Sequence, residues 1–317
     1  MTRTRMPFLT KAAPDGGGRG RILPTGTAQS ARILHDDIFA KTLSGLERGL
    51  QAQHVATVPF ESCLANDDVR VVFGKPEWAG FDFLPVRDRG KVVGILKRES
   101  GAHDALVREA MAPLNENMLA SAETPLEKVI RRLLQCKFLL VVRLTAIEGI
   151  ITHSDLAKLP VRLLIFAQVT HLEMEMATAI RHRFGSDDAA WLNLLSRGRR
   201  DNLEEKKRHL LQRREEPSLF LELTDFCDKR QILRRCYGLP RQFGDDLEQI
   251  EKFVRNPLAH AATFLNDKAS LIRVVDLLDK AGQWTRTVRD LGQALGDQGG
   301  PRAARPRRKE EDAQEAH

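Results

Sequence analysis

The chain has 317 residues, of which 42% are hydrophobic, and a formal net charge of +7. That is enough apolar content for two ordinary domains with cores of their own. No run approaches the roughly 18 consecutive apolar residues of a membrane span, and the basic N-terminus lacks the apolar segment of a signal peptide, so the expectation is a soluble cytoplasmic protein with no membrane role. The cysteines Cys63, Cys136, Cys227 and Cys236 form no CxxC pair and sit among apolar neighbours, which indicates neither a metal site nor a disulfide framework but reduced thiols.

Both ends are biased in composition. Residues 1–30 scatter Arg3, Arg5, Lys11, Arg19 and Arg21 among Gly, Pro and Thr, and residues 294–317 run from a basic block, Arg302 to Lys309, into Glu310, Glu311 and Asp312. Both are expected to be disordered. The basic excess points weakly to a polyanion such as nucleic acid, and a solubilising arm is the plainer explanation of the tails.

From 52 to 158, short apolar runs alternate with helical stretches. Phe83 to Val86, Val92 to Leu96, Phe138 to Val142 and Ile147 to Ile151 read as strands, and Pro125 to Gln135 as a helix with Thr124 at the N-cap and Pro125 at the first helical position. The hairpin Phe83 to Leu96, turning at Asp88 to Gly90, returns about 55 residues later as Phe138 to Thr152, so the region is an internal duplication.

This duplicated βαββα pattern resembles a cystathionine-β-synthase (CBS) domain pair, a tandem that commonly binds adenine nucleotides. The strand end Gly149-Ile150-Ile151-Thr152-His153-Ser154-Asp155 matches the family's Gly-apolar-apolar-Thr/Ser-x-x-Asp pattern. The resemblance implies that Thr152 faces phosphate or ribose and that Asp155 accepts from ribose hydroxyls. The plainer reading is that Thr152, Ser154 or Asp155 caps the next helix. The first copy departs from the pattern, continuing as Lys97-Arg98-Glu99-Ser100, which leaves one intact ligand site, with Lys97 or Arg98 as possible sources of phosphate charge.

From Pro160 onward the strand signals vanish. Leu163, Leu164, Phe166, Ala167, Val169, Leu172, Met176 and Ile180 recur at three- and four-residue spacing, the signature of one broad face of a long helix in an all-helical second region. Glu173 and Glu175 fall in this helix, either as solvated carboxylates or as acids in a functional cleft. The basic run from Arg197 to Arg214 reads as an exposed helix with i to i+4 pairing.

Leu247 to Val254 is amphipathic, and Pro257 is expected to interrupt it, pushing Asn256 to an extended, N-capping conformation. Arg255 would then end one helix and His260 lie one turn into the next, with free amides between them suited to a phosphate. Arg255-Asn256-Pro257-Leu258-Ala259-His260 resembles the R-x4-H motif of the HEPN family, whose ribonuclease members act as dimers without metal. That resemblance, over 160–285, implies His260 as general acid or base, Arg255 as stabiliser of phosphate charge and Asn256 as an orienting group. A helix-end Arg, a core His and a capping Asn are the structural alternative.

The sequence therefore predicts a mixed α+β chain, with a CBS tandem over 52–158 followed by an all-α HEPN bundle over 160–285. The expected function is metal-independent cleavage of RNA by a homodimer, regulated by ATP, ADP or AMP. The alternative is a non-catalytic regulator whose bundle dimerises and binds RNA or a partner protein.

Overall fold

The computed structural model describes residues 41–100, 104–213, 220–259, 265 and 267–296. The chain divides into two units, Met1–Lys41 and Thr42–His317, and of the first only Lys41 is described. The tails predicted to be disordered, 1–30 and all but the first residues of 294–317, lie outside the described residues.

The duplication is present strand for strand. In the first repeat β1 (Cys63–Leu64) pairs parallel with β2 (Phe83–Asp88), which pairs antiparallel with β3 (Lys91–Lys97), itself flanked by β4 (Ala112–Pro113). In the second, β5 (Leu119–Ser121), β6 (Phe138–Arg143) and β7 (Ala146–Thr152) repeat the first three. Even the irregularities correspond, since one sheet shifts register between Val86 and Arg87 and the other between Val141 and Val142. The hairpins close over two residues, with positive φ at Arg89 and Gly90 in one and at Leu144 in the other, as tight turns between twisted strands require.

The strands read as unbroken apolar runs because both of their faces are buried. Ile95, Phe138, Leu140 and Ile150 fill the layer between the two sheets. On the outer face of the first, Leu84, Val86 and Leu96 pack with α1 (Val69–Gly74) and α2 (Val107–Ala110) into a separate small core. On the outer face of the second, Leu139, Val141 and Ile151 join α3 (Leu126–Arg132) in a core that continues without a break into the helical half.

That half begins at α4 (Leu159–Phe184) and contains α5 (Asp188–Leu192), α6 (Arg197–Gln212), α7 (Phe226–Cys236), α8 (Arg241–Ile250), α9 (Asn256–Ala259) and α10 (Lys268–Gly296), with no strand among the described residues. Val161, Leu164, Ile165, Val169, Leu172, Met176 and Ile180 form the buried face of α4, which lies along α10. Leu163 and Phe166, expected on that face, are instead exposed, because a helix buries a stripe and they fall on its far side. No helix among the described residues is long and apolar enough to cross a membrane.

Three local expectations are corrected. Pro125, not Thr124, holds the N-cap position of α3, one residue later than expected, its extended ψ of 137° marking the entry. Residues 294–296, placed in the C-terminal tail, are the last turn of α10, since extending a formed helix adds a hydrogen bond for each residue fixed. Asn256 is helical, with φ −66° and ψ −45°, and does not cap a new helix. The chain passes Pro257 through a π-turn, Glu251–Arg255, in which the Asn256 amide donates to the carbonyl of Glu251. The wider turn accommodates a ring that would otherwise press on the carbonyl four residues back. No free helix N-terminus therefore opens between Arg255 and Pro257.

Candidate functional site

Thr152 and Asp155 sit where β7 turns into the short 3-10 segment His153–Ala157. Asp155 is 5% exposed. Its Oδ2 accepts from the Thr152 amide at 2.7 Å and the Thr152 hydroxyl at 2.9 Å. Oδ1 accepts from the Thr57 hydroxyl at 2.7 Å and from Lys158 Nζ at 2.7 Å. Lys158 also donates to the carbonyl of Val55 and immediately precedes α4. The carboxylate thus has four protein donors, and in this geometry it is a cap and a joint between the leading segment, β7 and the helical half.

Thr57 is placed there by an exchange between the repeats. The segment ahead of the first repeat bridges to Ile150 of the second, and β4, ahead of the second repeat, pairs with Gly94 and Ile95 of the first. Each crossing passes over a glycine. A Cβ on Gly94 would lie 2.7 Å from the carbonyl oxygen of Ala112, and one on Gly149 would lie 3.0 Å from both Ala56 Cβ and Val58 Cγ2.

A cavity of about 380 Å³ opens at the corresponding strand end of the first repeat. Phe83 and Phe138, stacked with centroids 4.2 Å apart, form part of its wall, together with Lys97, Glu99, Asn117 and Lys137. Lys97 is exposed and makes no ion pair among the described residues, while Lys137 stands 3.7 Å from Asp82. Arg98 points elsewhere. Its guanidinium bonds the carbonyls of Phe81 and Trp78 and lies over the Phe73 ring, so it cannot also serve a ligand here. Neither Thr152 nor Asp155 lines this cavity. The sequence drew attention to the copy with the complete motif, and this cavity lies at the copy without it.

In the helical half, Arg255 is one-third exposed and its Nε lies 3.4 Å from Glu173 Oε2. The other oxygen of Glu173 accepts from Lys229 Nζ at 3.1 Å, and Lys229, almost wholly buried, also donates to the carbonyl of Thr224. Glu173 is thus neither a free acid nor a solvated one. It fixes Arg255 beside the Phe226 ring, 5.9 Å from its centroid. Burial pushes the Glu251 carboxyl above its ordinary value, against the opposing pull of Arg230 and Arg255. Asn256 is exposed. His260 lies outside the described residues, so its distance from Arg255 is not part of the geometry.

Two groupings escaped the sequence reading. Arg199, read as part of an exposed basic run, bonds Asp228 at 2.9 Å and Asp225 at 2.7 Å, tying α6 to the first turn of α7. Glu175 bonds His171 at 3.2 Å and Arg289 at 2.7 Å between α4 and α10. His171 is a neighbour on the same helix face, but Asp225 and Asp228 for Arg199 and Arg289 for Glu175 are distant in sequence, and no local pattern announces them. Burial pushes the Cys63 and Cys236 thiols up to about 11 and raises those of Cys136 and Cys227, so all four are protonated at neutral pH.

Solved structures similar to the chain each match about a third of it. A putative acetoin utilization protein (AcuB) from Vibrio cholerae is 19% identical over 36% of this chain and 92% of its own, with a TM-score of 0.32. The CBS domains of a transcriptional regulator from Streptococcus pneumoniae are 16% identical over 33% of this chain and 94% of their own, with a TM-score of 0.30. CBSX2, solved in complex with AMP, is 17% identical over 36% of this chain and 97% of its own, with a TM-score of 0.32. No protein-family model and no curated protein matches the chain.

Proposed function

We propose that the tandem is a CBS-type sensor that binds an adenine nucleotide in the cavity between its repeats and regulates the helical half. The observation that carries this reading is the cavity itself. Its volume of about 380 Å³ falls within the range of small-ligand sites, and it combines an aromatic wall with the unpaired ammonium of Lys97 and the amide of Asn117. A base can lie against the Phe83 and Phe138 rings while its phosphate meets Lys97. Asp155 would reach a ribose only by giving up donors it already holds. The route to the helical half is the shared core, with Lys158 at its entry.

Titration calorimetry with AMP, ADP and ATP tests the site. Binding to the wild type, weakened about tenfold by Lys97→Glu and little changed by Arg98→Gln, is the expected outcome. Absence of binding to all three nucleotides overturns it.

A second reading concerns the output. Arg255 is held by Glu173 at a π-turn, a local irregularity frequent at functional positions. This favours the helical half as a metal-independent endoribonuclease in which Arg255 stabilises charge on a scissile phosphate, His260 moves the proton of the 2'-hydroxyl and Asn256 orients a phosphate oxygen. Cleavage should survive chelation, leave a 2',3'-cyclic phosphate and vanish in Arg255→Ala and in His260→Ala. Undiminished cleavage by His260→Ala, with dimer mass checked by light scattering, removes this reading and leaves a regulator that binds RNA or a partner protein.

A further inference from the structure

The cavity at the end of β3 carries more than an aromatic wall and one ammonium. Lys97 is the ladder partner of Phe83 in the antiparallel pair of β2 and β3, so the two side chains leave the same face of the sheet. Two residues on, in the 3-10 segment Arg98–Ser100, Glu99 lines the same cavity. Asp82 and Lys137, also in the wall, immediately precede the stacked rings of Phe83 and Phe138 and hold equivalent places in the two repeats. They stand 3.7 Å apart, so the ammonium of Lys137 already faces a carboxylate.

The charged groups of this wall are therefore two ammoniums and two carboxylates, which cancel. Arg98 and Arg132 add no free fork, since their guanidiniums are bonded to the carbonyls of Phe81 and Trp78 and of Leu119 and Asn117. The carboxylate of Glu99 has no hydrogen bond and no ion pair among the described residues. One phosphate group can be met here by the ammonium of Lys97 and by the side-chain amides of Asn115 and Asn117, which donate to its oxygens. A second or third phosphate brings more negative charge to a wall whose other cation is spent and whose carboxylates repel it. Two like charges about 4 Å apart in water cost about fivefold in affinity, and more where water is excluded.

We propose that the cavity selects a nucleoside monophosphate over its di- and triphosphate, with Asp82 and Glu99 as the residues that turn the longer phosphate chains away. This selection rests on the adenine-nucleotide site proposed above and adds the number of phosphates and the side chains that set it.

The test titrates AMP, ADP and ATP against the full chain by calorimetry, with a chelator present so that no divalent ion masks the phosphates. Affinity should fall from AMP to ADP to ATP, by about tenfold or more overall. Glu99→Gln and Asp82→Asn each remove one carboxylate with little change of shape. Each should raise the affinity for ATP about fivefold while changing that for AMP about twofold or less. The Asp82 side chain is 70% exposed and Glu99 has no partner to strand, so both variants should melt with the wild type. If none of the three nucleotides binds the wild type, the site itself is removed and the selection with it. If they bind equally, or ATP binds most tightly, the selection is overturned while the site stands. A gap between AMP and ATP that both variants leave unchanged overturns the assignment to Asp82 and Glu99, since shape rather than charge then excludes the longer chains.

Discussion

The two repeats of the tandem share strands, hairpins and even the position of a bulge, yet their third strands end in opposite ways. In the second repeat the carboxylate at the strand end is taken up by the protein, with Asp155 buried and its oxygens shared among Thr57, Thr152 and Lys158. In the first, Arg98 folds back on its own repeat, Lys97 stands free, and a cavity remains. The outer faces differ in the same sense. One packs only on short helices of its own, and the other is continuous with the helical bundle. A duplicated scaffold has thus divided its work, one copy serving as the joint and the other keeping the open space.

The strongest test of that division is Asp155→Ala. It removes the buried acceptor shared by two hydroxyls, an amide and an ammonium, of which Thr57 is exposed and Lys158 partly so and both can turn to water, and should cost about 2 to 3 kcal/mol in urea unfolding. Lys97→Ala at the open end should cost less than about 0.5 kcal/mol. An Asp155→Ala protein as stable as wild type, but poor in nucleotide binding, would return Asp155 to the ligand and undo the comparison.

The glycines under the two crossings sharpen it further. At Gly94 the new methyl meets a backbone carbonyl at 2.7 Å, and at Gly149 it meets two side-chain carbons at 3.0 Å. Gly94→Ala should therefore cost about 2 kcal/mol and Gly149→Ala about 1 kcal/mol, because the overlap at Gly149 is smaller and Val58 is exposed and can move aside. Thermal melts of the two variants decide the order.

The smallest effect concerns the contact between the joint and the bundle outside the core. Arg131 of α3 bonds Asp279 of α10 at 3.1 Å and holds its carboxyl below the usual carboxylate value. A depressed folded value contributes stability above the unfolded pKa of about 3.9, and this is lost as pH falls through the folded value. Both side chains are nearly half exposed, so at neutral pH Asp279→Asn should cost only a few tenths of a kcal/mol, and the difference from wild type should close as pH falls through the folded value. A constant difference across pH would show that packing, not charge, is lost.

From its residues alone the chain discloses the duplicated hairpins and the long helix of the second half. Each is a local pattern, an apolar run bounded by a turn or a three-to-four spacing sustained over several turns. The two-residue strands β1 and β4 are too short to carry such a pattern, and they form only because a longer strand supplies their place, β2 of the same repeat for β1 and β3 of the other repeat for β4. Pro257 read as a helix break, yet the chain rides over it in a π-turn because Val254, buried in the bundle core, holds the preceding turn in place. The Gly-Ile-Ile-Thr-x-x-Asp stretch was legible as a special strand end. Whether its carboxylate meets a ligand or the protein was decided by tertiary structure, since Thr57 comes from 98 positions away. Ion pairs such as Glu173 with Arg255 belong to the same class, for side chains that meet only when distant helices pack leave no periodic trace in the sequence.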